Sequence, residues 1–206
     1  ISKLAKDAVL KMSDKVQVAA IGPGLTDNPE TTDFVKEVIE KLPEDISLII
    51  DADGLRAIDK DTKLRRNIIL TPHTGEFSRM TGIPREEVEQ NSHALAKEWA
   101  NKLGCIILLK YVPSVITDGE FSYWNINGNP GMASAGSGDV LTGLISALLA
   151  QGVEPLESAA FGSFIHALAG DWYSKNYGEV TLTASQMLNA LRVVLANGIE
   201  EEEDYE

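Results

Sequence analysis

The sequence predicts an α/β fold with a mostly parallel central sheet and helices on both faces, on three observations. Short β-branched runs alternate with amphipathic helical stretches, the pattern of strands joined by crossover helices. Apolar residues make up 44% of the 206-residue chain, enough to bury both faces of a sheet in one domain. Finally, the strands run into loops bearing Gly, Asp, His or Lys, and open α/β sheets bind ligands outside the carboxyl ends of their strands.

Taken in order, Val16 to Ile21 reads as a strand that ends at Gly22-Pro23-Gly24. From Thr31 to Lys41, Phe34, Val35, Val38, Ile39 and the following Leu42 recur at helical spacing, and Pro43 stops the helix. Ile46 to Ile50 is a second strand entering Asp51-Ala52-Asp53-Gly54, and Asn67 to Leu70 a third entering Thr71-Pro72-His73. A helix is expected from Pro84 to Leu103, followed by the strand Cys105 to Lys110. Val115–Thr117 and Phe121–Trp124, separated by Asp118-Gly119-Glu120, predict a β-hairpin. A small-residue loop over 127–138 precedes an apolar helix from Asp139 to Ala150, and two more helices, Pro155 to Tyr177 and Ala184 to Ala196, close the fold. The like-charged run Glu200 to Asp204 reads as a solvated tail. Gly22, Asp51, His73 and Lys110 are therefore expected to face one crevice.

Charge narrows the function. A formal net charge of −13 opposes phosphate-backbone binding, which argues against DNA, RNA and anionic membranes. It does not oppose nucleotides, because helix N-termini supply local positive potential without lysines. The single cysteine, Cys105, lies in an apolar run and reads as a buried, inert thiol. No stretch reaches the roughly 18 to 20 apolar residues that cross a bilayer, and no signal peptide is read, so a cytoplasmic protein is expected. His73, His93 and His166 lack zinc-site spacing, and no metal ligand is assigned. His93 and His166 lie in helical stretches and read as packing or surface residues, whereas His73 at a strand end reads as a ligand contact. Asp51 and Asp53 fit either a ligand or a turn role.

The strongest chemical signal runs from Gly128 to Gly143, with four glycines in the eleven residues ending at Gly138. Small residues let a backbone approach a phosphate closely, and the helix that follows presents unpaired amides to it. Asp139 stands at that helix start, where a carboxylate can accept a hydroxyl proton while neighbouring amides hold the phosphoryl oxygens. The stretch lacks the Gly-Lys-Ser/Thr of a P-loop, and Leu141 replaces the third glycine of a dinucleotide fingerprint.

This loop resembles the signature of the NAD(P)H-hydrate dehydratase family, a branch of the ribokinase-like superfamily. Ile21-Gly-Pro-Gly-Leu25, Asp51-Ala-Asp-Gly-Leu55, Leu70-Thr-Pro-His-Thr-Gly-Glu-Phe77 and Leu108-Leu-Lys-Tyr-Val-Pro-Ser-Val115 agree with it in order and spacing. Two positions depart from the family pattern, Tyr111 where Gly is usual and Ser114 where Thr is usual. The resemblance implies a ribokinase-like three-layer sandwich over 1–197 whose N-terminal segment is missing, with an acidic tail over 198–206. It also implies nucleotide-dependent dehydration of (6S)-NAD(P)H hydrate: the ring hydroxyl is phosphorylated by ADP or ATP with Mg2+, and phosphate then leaves to restore NAD(P)H. Carried over by position, Asp139 activates the hydroxyl, and Ala135, Gly136, Ser137 and Gly138 form the anion hole. Gly22, Gly24, His73 and Asp139 contact the hydrated dinucleotide, and Lys110, Tyr111, Val112, Pro113, Ser114 and Gly138 contact the nucleotide. A homo-oligomer is expected, and some relatives carry an epimerase domain fused upstream. The alternative is a ribokinase-like kinase of a hydroxymethylpyrimidine, thiazole or sugar, since it too begins by deprotonating a hydroxyl.

Overall fold

The computed structural model describes residues 5–13 and 15–197, so the tail expected over 198–206 lies outside the described residues. Four strands, β1 (Val18–Ile21), β2 (Ser47–Ile50), β3 (Ile68–Leu70) and β4 (Ile106–Leu109), lie side by side in chain order and run parallel. β5 (Ser114–Thr117) and β6 (Ser122–Asn125) extend the same sheet antiparallel, as the expected hairpin. The register pairs Ile21 with Ile50 and Ile50 with Leu70, which brings the carboxyl ends of β1, β2 and β3 level.

Near-continuous β-branched and leucine strands are the mark of a sheet covered on both faces, and side-chain alternation divides the core accordingly. Leu48, Ile50, Ile68, Leu70, Ile107 and Leu109 point to one face. There they pack against α3 (Thr74–Thr81), α4 (Arg85–Gln90) and α5 (Ser92–Leu103) through Phe77, Met80, Val88, Trp99 and Leu103. Ile49, Ile69, Ile106, Leu108 and Ile116 point the other way, onto Leu141, Ile145 and Leu149 of α6 (Ser137–Ala150) and Ala159 of α7 (Pro155–Tyr177). Each such fully buried aliphatic side chain contributes roughly 1.5–3 kcal/mol over exposure. α8 (Ala184–Asn197) packs on α6 and α7 through Met187, Ala190 and Leu191. α2 (Pro29–Lys41) packs Phe34, Val35 and Val38 beside Ala57, with Asn28 capping its start by accepting from the Glu30 amide. The three-layer α/β architecture is the one expected.

Three helical details differ from the reading of the sequence. α1 (Lys6–Ser13) and α3 are helices to which the apolar pattern gave no signal. The single helix expected from Pro84 to Leu103 is two, because Asn91 turns out of helical geometry at φ −125° and ψ 29°. Its amide closes α4 on Glu87 O while its carbonyl accepts from Leu95, so one residue ends one helix and begins the next.

Candidate functional site

The carboxyl ends of β1 to β4 bring Gly22, Asp51, His73 and Lys110 together. Lys110 follows β4, donates its amide to Pro72 O at 2.8 Å, and forms a parallel bridge with His73. Its ammonium donates to Asp51 Oδ1 at 2.9 Å, and Thr142 Oγ1 of α6 donates to Oδ2 of the same carboxylate at 3.3 Å. Burial alone would raise the Asp51 carboxyl. The charge of Lys110 and its hydrogen bond, with those from Thr71 and the Ala52 amide, outweigh it and hold the group below the usual carboxylate range. Gly138 lies over this pair, since a Cβ there would stand 3.4 Å from Asp51 Oδ2 and 3.6 Å from Lys110 Nζ. The pair thus ties the sheet to the glycine-rich loop. Sequence reasoning left Asp51 undecided, and the structure gives it the Lys110 counter-ion role.

Gly22 owes its identity to packing. It is buried at φ +141°, and a Cβ would fall 1.7 Å from Asp51 O. Gly24, two residues on, is exposed with open space around it. Asp53 steadies the turn between them and α2 by accepting from the Thr26 amide at 2.9 Å.

His73 is the N-cap of α3. Its Nδ1 accepts from the amides of Gly75 at 3.0 Å and Glu76 at 3.2 Å, while Glu76 Oε2 accepts from the His73 amide at 2.9 Å. This reciprocal pair is a capping box with histidine in place of Ser or Thr, which is why α3 escaped notice. With Nδ1 accepting, the neutral ring carries its proton on Nε2. Partial burial holds the imidazole below its ordinary value, against the opposing pull of Glu76 and with Lys110, Arg79 and Arg85 adding to the lowering.

A cavity of about 740 Å³ opens beside this network. Its walls include His73, Lys110, Tyr111, Val112 and Ser114 on the sheet side, the loop over 127–134, and Ser137 and Gly138 at the start of α6. Within the 110–114 turn, Ser114 Oγ donates to Tyr111 O at 2.8 Å, while Val112 and Tyr111 are exposed and Pro113 follows a cis bond.

Residues 136–139 form a ridge. Gly136, at φ +84°, starts α6; the Ser137 amide donates to Ser134 O at 3.1 Å and the Val140 amide to Gly136 O. Among the described residues the amides of Ala135, Gly136, Gly138 and Asp139 have no hydrogen-bond partner, as a helix start leaves them. Ser137 and Gly138 face the cavity, whereas Gly136 and the exposed Asp139 face a second, more open groove along α6 and α8. Lys110 and Gly138 therefore share one wall, and Asp139 stands on the opposite flank. Such an arrangement can hold an anion on backbone amides between two compartments, with a carboxylate on one side and an ammonium on the other.

Two residues of α7 lie against the site: His166, buried as the packing reading of the sequence allows, and Asp171, which the sequence did not single out. His166, on α7, lies buried under the ridge, and Asp171, five residues further on, reaches the loop at Gly128 and Asn129. Their cue is no more than polar side chains, Ser163, His166 and Asp171, set in a largely apolar helix. The Cys105 thiol is buried and pushed upward by that burial, as an inert thiol should be. Among the described residues no helix is long and apolar enough to cross a membrane.

Known proteins resemble this chain in sequence and in fold. The chain is 39% identical over 208 residues to the bifunctional NAD(P)H-hydrate repair enzyme Nnr of Moorella thermoacetica, aligning 98% of itself with 38% of that protein's length. Among solved structures, the ADP/ATP-dependent NAD(P)H-hydrate dehydratase from Bacillus subtilis, co-crystallised with ATP/Mg2+ and soaked with CoA, superposes with a TM-score of 0.79 at 32% identity, covering 91% of this chain and 70% of that one. A ribokinase-like superfamily protein from Enterococcus faecalis superposes with a TM-score of 0.82 at 28% identity over 95% of this chain and 68% of that one. Residues 2–192 match the family model described as NAD(P)H-hydrate dehydratase. On that match over nearly the whole chain, and on the ribokinase-like fold beneath it, the chain belongs to the NAD(P)H-hydrate dehydratase family.

Proposed function

We propose that this chain carries the phosphoryl-transfer site of a nucleotide-dependent (6S)-NAD(P)H-hydrate dehydratase. The observation that carries the reading is the ridge over 136–139, with amides open to an incoming anion, Asp139 exposed on one flank and Lys110 beneath the other. ADP or ATP would occupy the cavity of about 740 Å³, against Lys110, the 111–114 turn and Gly138. The hydrate would approach from the flank of Asp139, with Gly24 at the edge of its site, Gly22 supporting the turn, and His73, which also borders the nucleotide cavity, reaching it from the side of Lys110.

In the first step the ring hydroxyl attacks the terminal phosphorus of the nucleotide. Asp139 takes the hydroxyl proton, the new O–P bond forms, and the bond to the departing nucleotide breaks. Charge gained by the phosphoryl oxygens falls on the amides of Ala135, Gly136 and Gly138. Ser137 contributes less through its amide, already engaged by Ser134, than by holding the helix start. In the second step the ring carbon–oxygen bond breaks, phosphate leaves with the electron pair, and a proton lost from the neighbouring ring carbon restores the double bond of NAD(P)H. Among the described residues no group of three or more His, Cys, Asp or Glu side chains is arranged to hold a metal ion. Magnesium in this reading arrives on the phosphates of the nucleotide, and no step is assigned to it.

The same reading includes a cytoplasmic setting, where NAD(P)H is used, and a homo-oligomer. The latter is favoured by the exposed aromatic edge at Phe121, Tyr123 and Trp124, and light scattering on the purified protein tests it. Incubation with ADP or ATP and the hydrate tests the activity: the reduced-nicotinamide absorbance should return. A stable phosphorylated product from a pyrimidine, thiazole or sugar, without that return, would favour the kinase reading instead.

A further inference from the structure

We infer that α7 is the part that sets the geometry of the glycine-rich loop, with Asp171 and His166 as positioning residues for its two ends. This inference rests on the reading of the loop as the holder of nucleotide and phosphate. Asp171 fixes the beginning. Its Oδ2 accepts from the Gly128 amide at 2.8 Å and its Oδ1 from Asn129 Nδ2 at 2.9 Å, while Asn129 Oδ1 accepts from the Gly131 amide at 3.1 Å. One carboxylate therefore holds two consecutive residues of the cavity wall, and the second of them closes the turn that follows. His166 fixes the end. Its Nε2 lies 3.1 Å from Ser137 O, and because a carbonyl only accepts, Nε2 carries the proton and donates. Ser137 Oγ is 3.4 Å from the same nitrogen. Burial, opposed by the Ser137 hydrogen bond and reinforced by Lys110, lowers the imidazole to about 4, so the donor stays neutral over the physiological range.

Between these pins the loop rests on Gly170, where a Cβ would stand 2.5 Å from Met132 Sδ. Residues 166 and 170 lie four apart on one face of α7 and Asp171 adjoins Gly170, about 100° further round, so one rigid helix holds the start, middle and end of the loop. A helix is a better ruler than a loop for a site that tolerates little displacement. The two pins act on different parts. Asp171 holds Gly128 and Asn129, which line the nucleotide cavity without reaching the ridge. His166 holds Ser137, the first residue of α6 and part of the ridge, where transition-state charge gathers.

The test is steady-state kinetics and calorimetric ATP titration on the intact protein and on His166→Ala, His166→Gln, Asp171→Ala and Asp171→Asn, each verified as folded by circular dichroism. His166→Ala should lower kcat on the order of 10- to 100-fold, the scale of a small misplacement, with the nucleotide KM within about threefold. His166→Gln, which can still donate to Ser137 O, should recover most of that loss. Asp171→Ala should weaken ATP binding by about tenfold or more with a smaller effect on kcat, and Asp171→Asn, which keeps one acceptor, should fall between. The inference is overturned if both alanine variants match the parent, or if kcat and KM move together without rescue by Gln or Asn. If the parent binds ATP but restores no reduced nicotinamide, the proposed reaction fails, and the Asp171 titration still decides whether α7 sets the nucleotide wall.

Discussion

The ammonium of Lys110 lies 2.9 Å from Oδ1 of Asp51, a carboxylate only 2% exposed, directly beneath Gly138 of the glycine-rich loop. A charge buried to that degree is tolerable only when it is paired and hydrogen-bonded, and Asp51 is both. The pair joins β2 to β4 and supports the loop above them, so it links the stability of the sheet to the shape of the site.

Removing one partner is therefore costly. Lys110→Met should destabilise the fold by about 3 kcal/mol in urea unfolding, because it leaves the Asp51 carboxylate buried without its cation. Adding Asp51→Asn should return part of that loss, since the stranded charge goes with it. A Lys110→Met variant within about 0.5 kcal/mol of the parent would contradict the pairing, being no larger than an ordinary surface substitution.

His166 makes stability depend on pH in a defined direction. Its folded value of about 4 lies below the ordinary 6.5, so the unfolded chain binds more protons between the two. Its contribution is complete above pH ~6.5, the unfolded histidine value, and declines as pH falls toward the folded one, by up to about 3 kcal/mol. Asp51, held low, adds a loss of the same sign only at more acid pH, as its carboxyl protonates. Thermal unfolding from pH 7 to 4.5 should therefore show a steeper fall for the parent than for His166→Gln. Parallel curves would show that the imidazole is not buried neutral under α6.

Gly22 and Gly24 separate packing from ligand contact. Gly22→Ala places a Cβ 1.7 Å from Asp51 O at φ +141°, and should lower stability by upwards of about 3 kcal/mol, clash and backbone strain together. Gly24→Ala meets open space at φ +73° and should cost about 1–2 kcal/mol, the left-handed penalty alone. If Gly24 borders the hydrate site, its larger effect is on the KM for hydrate. Equal stability losses at the two positions would contradict the packing at Gly22.

These contrasts also show how far the sequence could be read. The parallel strands were legible because the isoleucine- and leucine-rich runs at 46–50, 67–70 and 105–110 allow little besides a buried sheet, and the helix from Pro155 to Tyr177 appears with the bounds its pattern implied. The α3 helix was not, because its start signal is a histidine cap and its apolar content is two residues, Phe77 and Met80. Nor was the break at Asn91, since apolar spacing continues across it from Val88 to Leu95 and only the backbone turns. At the site, the glycine density was visible because it exceeds what a helix start needs, and Asp139 because it closes that run at the start of the helix. His166 was legible as a packing residue, but its bond to Ser137, like the whole of Asp171's role, was not, because a polar residue on a helix says nothing of the loop it will meet until the two are packed.

Central to the proposed reaction is that Asp139 accepts a proton at the edge of an amide-lined ridge. The most direct measurement is the rate of nucleotide-dependent hydrate dehydration by Asp139→Asn beside its thermal unfolding. Because Asp139 is exposed, the unfolding temperature should stay close to that of the parent, while kcat falls by about two orders of magnitude or more, the scale of general-base loss. A folded Asp139→Asn protein that turns over the hydrate at the parental rate would contradict it.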